Sequence, residues 1–245
     1  MNSRKPQSEN QWISFSDMMT GLMVIFLFIS ISYMVEANKK ENQITQILEF
    51  YENSRDSIRH DLIVLLGEHE GDWDEFVEFD SINLSIKFVG NDIQFRPDSD
   101  RIRSSFRKIL NDFVPKYIEI ISQEKYKDKI AEVRIEGHAN RVTKNTSKSK
   151  EYMEGVKWSQ RRAKEVLNYM VGTRAFEKLT PTTKRRLQFW LVANGYGYGR
   201  TLDDQGAYTQ FSRDEVCEQC SRRVEFRIVT VSEQIIADII SKLKT

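Results

Sequence analysis

The sequence predicts a single N-terminal transmembrane helix, a helical linker and then an α/β (α+β) domain, and three observations predict it. Trp12 to Tyr33 is an apolar run of 22 residues. As a helix it spans about 33 Å, close to the hydrocarbon thickness of a bilayer. Beyond it, apolar residues recur at spacings near 3.5 as far as Leu65, the period of an amphipathic helix. From Glu75 onward several short runs alternate apolar and polar residues, with helical runs between them. Strands alternating with helices around one core make an α/β or α+β sandwich. The boundaries read as a tail at 1 to 11, a span at 12 to 35, a linker at 36 to 74 and a folded domain at 75 to 245.

Within the apolar run Trp12 and Tyr33 mark the two ends, where amphipathic rings favour the headgroup region. Asp17 is the one residue between them that ionises at physiological pH. A carboxylate at membrane depth costs roughly 2.5 to 3.5 kcal/mol on insertion scales, so such a group tends to hold a proton. Two readings stand: an ion-carrying site that faces a partner helix, and an interfacial Asp that reaches water. Thr20, Gly21 and Val24 follow at three, four and seven positions, which places small residues on the face of Asp17. Small residues let helices approach closely in lipid, and this favours the first reading.

Net charge is +1 over 245 residues, but it is unevenly spread. Glu36 to Asp80 holds 13 acids against 4 bases, and Arg141 to Arg186 holds 13 bases against 4 acids. The basic block suits an anionic polymer. Arg4 and Lys5 resemble the start of a signal peptide, but the apolar run is long and no small-x-small site follows before Asn38. An uncleaved anchor is therefore expected. Lys39 and Lys40 match Arg4 and Lys5 across the span, so charge alone does not orient it. The only cysteines are Cys217 and Cys220, and His60, His69 and His138 lie far from them in sequence. No metal site is expected from that set. In an oxidising compartment the pair closes a small disulfide loop and in the cytosol it remains two thiols; the disulfide is preferred here.

Taken in order, Ile44, Ile47, Leu48, Tyr51, Ile58, Leu62 and Leu65 form one helical stripe, ended by Gly67 and a hinge at Gly71. The stripe packs on a copy of itself or a partner, or else folds onto the following domain; self-association is placed slightly ahead. Phe76, Glu78, Leu84, Ile86 and Phe88 read as strands, and Ser99 to Phe113 as an amphipathic helix. Val133 to Gly137 is a strand that ends in Gly-His-Ala-Asn. A polar loop from Arg141 to Glu154 leads to a helix carrying Val156, Ala163, Val166, Leu167 and Met170. Thr182 to Trp190 is helical, Leu191 to Asn194 and Val224 to Val231 are strands, and Ile235 to Leu243 reads as a last helix.

Five spaced motifs agree with one family. Asp92-Ile-Gln-Phe-Arg-Pro-Asp-Ser, Ile135-Glu-Gly-His-Ala-Asn, Trp158-Ser-Gln-Arg-Arg-Ala, Asn194-Gly-Tyr-Gly and Ser221-Arg-Arg-Val-Glu-Phe resemble, in order, those of OmpA/MotB-type peptidoglycan-binding domains. Ser14-Phe-Ser-Asp-Met-Met-Thr-Gly-Leu-Met resembles the membrane segment of MotB-type stator proteins, whose aspartate carries protons or sodium ions. Within that superfamily the run from Asp17 to Ser30 is most similar to the B subunits of the Zorya anti-phage defence system. The resemblance implies an OmpA-like fold for the domain and ion carriage by Asp17. It implies that Asn140 and Arg162 occupy the two positions that hold the diaminopimelate of the peptide stem. Asn140 departs from the family's aspartate and loses the charge that would pair with the ligand's ammonium. Arg162 keeps the means to bind a carboxylate bidentately. His138 is expected to be structural, and Arg222 and Arg223 to support the last strand.

The partners implied are a MotA/ZorA-like multi-span membrane protein, five copies around two of this chain, together with a homodimer contact and peptidoglycan. The chain would cross the bacterial inner membrane once, with its N-terminus cytoplasmic and its domain periplasmic. Protons or sodium ions are the transported species; no cofactor, enzyme activity or direct nucleic-acid binding is expected. The competing readings are a passive OmpA-like tether between membrane and wall, a flagellar MotB-type subunit, and last an energy transducer of the TolR or ExbD kind.

Overall fold

The computed structural model describes residues 9 to 67, 76 to 90, 94 to 96, 99 to 140 and 148 to 231. Gly71, Asp92, the loop at 141 to 147 and the final helix expected at Ile235 to Leu243 lie outside the described residues. The chain divides into two compact units, Met1–Phe50 and Tyr51–Thr245.

Helix α1, Glu9–Gly67, is continuous from the apolar run through the linker. Among the described residues it is the one helix long and apolar enough to cross a membrane. In the first unit the apolar side chains of Phe15, Met18, Leu22, Phe26 and Ile29 are all exposed. Thr20 Oγ1 donates back to the Ser16 carbonyl at 2.8 Å.

The rest of α1 belongs to the second unit. Ile58, Leu62 and Leu65, spaced by four and three, are buried in the hydrophobic core. Tyr126 donates to the Ser57 carbonyl at 2.9 Å and to Asp61 at 2.8 Å, and Lys125 Nζ lies 2.7 Å from Asp61. The lower half of the apolar stripe thus folds onto the chain's own domain rather than onto a second copy. Ile44 and Leu48, in the upper half, are exposed. Leu62→Ala is expected to lower the domain's unfolding free energy by about 2 to 5 kcal/mol, the range for a fully buried aliphatic truncation, measured by denaturant unfolding. A domain that began only after Gly67 would instead be indifferent to it.

The strands are β1 (Val77–Asp80), β2 (Ser85–Val89), β3 (Ile130–Gly137), β4 (Leu191–Gly195) and β5 (Arg223–Thr230). They form one sheet in the order β1-β2-β5-β3-β4, with β3 and β4 parallel and the other neighbours antiparallel. Register separates the two faces cleanly. Val77, Phe88, Val224, Gly137 and Gly195 share one face with Ile86, Phe226 and Ile135. Glu78, Lys87, Glu225, Glu136 and Asn194 line up as a polar row on the other.

The apolar face packs under helices α2 (Ser104–Ile121), α3 (Lys148–Val171) and α5 (Pro181–Trp190). Phe88, Phe113 and Phe226 meet edge to face with centroids 5.0 to 5.7 Å apart, an arrangement that adds to their area burial. Short helices α4 (Arg174–Glu177), α6 (Thr209–Ser212) and α7 (Glu218–Ser221) complete the described elements with a 3-10 turn at Glu124–Tyr126.

Candidate functional site

The site is built where the C-terminal ends of β3 and β4 meet helix α3. Two strand-end glycines allow that approach. A Cβ on Gly137 would lie 2.2 Å from the Ser159 carbonyl oxygen, and one on Gly195 2.3 Å from the Gln160 amide nitrogen. Ser159 Oγ accepts from the Gly197 amide at 2.9 Å, and Gln160 Nε2 donates to the Ala193 carbonyl at 2.9 Å. The contacts fix the rotation of α3 and so the side from which Arg162 projects. Its Nε donates to the Ser99 carbonyl at 3.1 Å, and its guanidinium stands 5.3 Å from the centre of the Phe95 ring. A guanidinium held by carbonyls and an aromatic face keeps its charge while losing rotamer freedom.

A cavity of about 50 Å³ opens beside it, lined by Gln94, Phe95, Arg96, His138, Arg162, Arg222 and Arg223 with Gly90, Gly137 and Val224. Asn140 stands behind this wall. It is 3% exposed, and its Oδ1 accepts from Arg222 Nε at 2.5 Å. Structure thus brings Arg162 onto the cavity and places Asn140 one side chain removed, with Arg222 between. Arg222 is the residue that sequence reasoning assigned only to support of the last strand.

Arg223 does support it. The side chain is fully buried, with Nε 2.5 Å from Glu225 Oε1 and Nη1 3.1 Å from the Arg200 carbonyl. Burial works to raise the Glu225 carboxyl, but the Arg223 guanidinium, with a smaller contribution from Lys87, more than offsets it, so it titrates below the usual carboxylate range. His138 stacks on Tyr196 with centroids 5.3 Å apart. Its Nε2 lies 3.6 Å from both Glu136 Oε2 and Glu225 Oε1, and neither ring nitrogen has a hydrogen-bond partner among the described residues. Burial pushes this imidazole below its ordinary value, so it stays neutral.

Glu136, His138 and Glu225 each offer one atom within 4.8 Å of the others, a spacing that suits a metal ion. Arg223 on Glu225, and Arg200 at 3.6 Å from Glu136, already balance the two carboxylates. A divalent cation would add uncompensated charge to a buried setting, so the cluster reads as a closed ion network that props the cavity floor. Register could have revealed it, since Glu136 and Glu225 are direct cross-strand partners.

Cys217 and Cys220 lie in and beside α7, with their sulfurs at bonding distance, 2.01 Å, and Cα atoms 5.4 Å apart. They close the turn that leads into Arg222. Asp17 belongs to the first unit and is exposed on α1.

Fold and cavity together define a class: an α/β domain built on a five-stranded mixed sheet, in a chain with one candidate membrane span among the described residues. Over 240 residues the chain is 32% identical to the Zorya protein ZorB of Escherichia coli, covering 98% of this chain and 96% of that one. The chain belongs to the ZorB family of Zorya proteins. No protein-family model matches it. Among solved structures, a periplasmic domain of MotB is 16% identical with a TM-score of 0.40, covering 68% of this chain and 73% of that one. A Helicobacter pylori MotB periplasmic domain is 15% identical at 0.39, covering 69% and 96%. The OmpA-like domain of FopA1 from Francisella tularensis is 16% identical at 0.35, covering 63% and 81%. Family membership rests on the ZorB relative alone.

Proposed function

We propose that this chain is the B subunit of an ion-driven, stator-like motor in anti-phage defence, anchored to peptidoglycan by its C-terminal domain. The observation that carries the reading is similarity to ZorB over 98% of the chain, whose one candidate span among the described residues holds a lone carboxylate, Asp17. Asp17 would carry protons or sodium ions between two packing states of its helix, since protonation removes a charge that is costly in lipid. Two copies would pair within a MotA/ZorA-like multi-span partner. The N-terminus would be cytoplasmic and the domain periplasmic, where Cys217 and Cys220 are oxidised. Arg162, oriented by Ser99 and Phe95, would grip a carboxylate of the wall's peptide stem.

Wall anchoring is tested by co-sedimenting the full detergent-solubilised chain with isolated sacculi. A charged hydrogen bond contributes roughly 1.5 to 3 kcal/mol, so Arg162→Ala should weaken binding by roughly ten- to a hundredfold. Equal binding by the variant would remove Arg162 from the contact, and no co-sedimentation of the parent chain would remove the domain from the wall.

A further inference from the structure

The pair Asn140 and Arg222 says which end of a ligand this site reads. Asn140 is a buried amide whose carbonyl is already taken by Arg222 Nε. What remains to it is one lone pair on a neutral oxygen and an NH2 donor, with no negative charge to hold an ammonium. Arg222 uses Nε on Asn140, which leaves its outer nitrogens as a donor fork, and its side chain lines the cavity that Arg162 also lines. A neutral amide oxygen satisfies the guanidinium's hydrogen bond without cancelling its charge. This corner therefore presents donors and a permanent cation.

We propose that Arg222, aimed by Asn140, is the group that meets the ligand here, so that the chain recognises a carboxylate of the stem peptide and is indifferent to its amine. The inference rests on the wall-binding reading above and deepens it. A carboxylate can take both outer nitrogens of a guanidinium at once, whereas an ammonium would face like charge. Asn140 is a positioning residue: one hydrogen bond from its Oδ1 fixes the plane in which the fork lies. The closed turn at Cys217 and Cys220 sets the backbone immediately before it, with the Arg222 amide donating to the Glu218 carbonyl at 3.3 Å.

Substitution of Asn140 separates this arrangement from an amine-reading site by the sign of its effect. Asn140→Asp preserves shape and keeps an acceptor for Arg222 Nε, but it supplies an internal counter-charge. If Arg222 reads a carboxylate, that counter-charge competes with the ligand. If the site reads an amine, the same carboxylate attracts it.

The test is calorimetric titration of the full-length chain in detergent with three synthetic stem tripeptides, each ending in diaminopimelate. One is unmodified, one is acetylated on the side-chain amine and one is amidated on the side-chain carboxylate. Acetylation should change affinity less than twofold, and amidation should weaken it at least tenfold. Asn140→Asp should weaken the unmodified peptide about fivefold or more and shrink the penalty of amidation; Arg222→Gln should abolish that penalty, with thermal unfolding confirming that both variants are folded. A tenfold loss on acetylation, or tighter binding by Asn140→Asp, overturns the inference and leaves wall binding standing. Absence of binding to all three peptides and to sacculi overturns wall binding and the inference with it.

Discussion

Asp17→Asn is expected to abolish phage protection and ion flow while the amount of protein in the membrane stays unchanged. Asparagine has the shape of aspartate and removes only its titration, so helix packing survives and proton or sodium exchange does not. Geometry of the surrounding face supports so selective an effect. Gly21, four positions on from Asp17, adds no side chain to that face, and small residues let a partner helix approach closely in lipid. Thr20 spends its hydroxyl on the Ser16 carbonyl and so offers no proton of its own to replace that of Asp17. Asp17→Glu keeps a titrating group one methylene further out and should retain part of the activity. Plating efficiency of a sensitive phage, with membrane immunoblots as the control, measures both variants. Full protection by Asp17→Asn would return Asp17 to an incidental interfacial residue and favour the passive tether.

The second large effect belongs to the domain. Gly137→Ala is expected to destabilise it by several kcal/mol, on the order of 3 to 5, which is exceptional for a change of one methyl group. The added Cβ would meet the Ser159 carbonyl oxygen at 2.2 Å. That atom is backbone, so no rotamer change relieves the clash; either the end of β3 or the whole of α3 must move. A domain of ordinary stability has about 5 to 15 kcal/mol to lose. Arg162 lies one turn along α3 from Ser159, and displacement of the helix would carry it off the Ser99 carbonyl. Denaturant unfolding reads the first consequence, and sacculus binding by whatever fraction remains folded reads the second. An unfolding free energy within about 1 kcal/mol of the parent would show that α3 does not need this approach.

Most of the domain was legible because its strands obey a period of two. Ile86 and Phe88, Val133 and Ile135, and Val224, Phe226 and Ile228 announce one buried face each, and all lie on the apolar side of the observed sheet. Four-residue helices such as Thr209–Ser212 and Glu218–Ser221 carry no period long enough to detect. The stripe through Ile58, Leu62 and Leu65 was legible as an apolar face, but periodicity identifies a face and not its partner. Its partner proved to be the domain itself, held further by Tyr126 across 65 and 69 residues of sequence.

The candidate site was half legible. Arg162 could be singled out because its motif sits on a helix, and the structure places that side chain on the cavity wall. Arg222 could not, because its importance comes from a hydrogen bond to a residue 82 positions away. For the same reason the buried group of Glu136, His138, Arg223 and Glu225 carries no signal along the sequence; register alone sets its members side by side. Long-range pairing of polar groups leaves no periodic trace, whereas burial of apolar ones does.

Ion passage by Asp17 is the central claim, and flux through the reconstituted complex tests it most directly. The full chain and its multi-span partner would be placed together in vesicles with an imposed proton or sodium gradient. The predicted result is dissipation of one of these gradients by the parent complex and an intact gradient with Asp17→Asn. Equal flux through both complexes, or no flux of either ion through the parent, would contradict it.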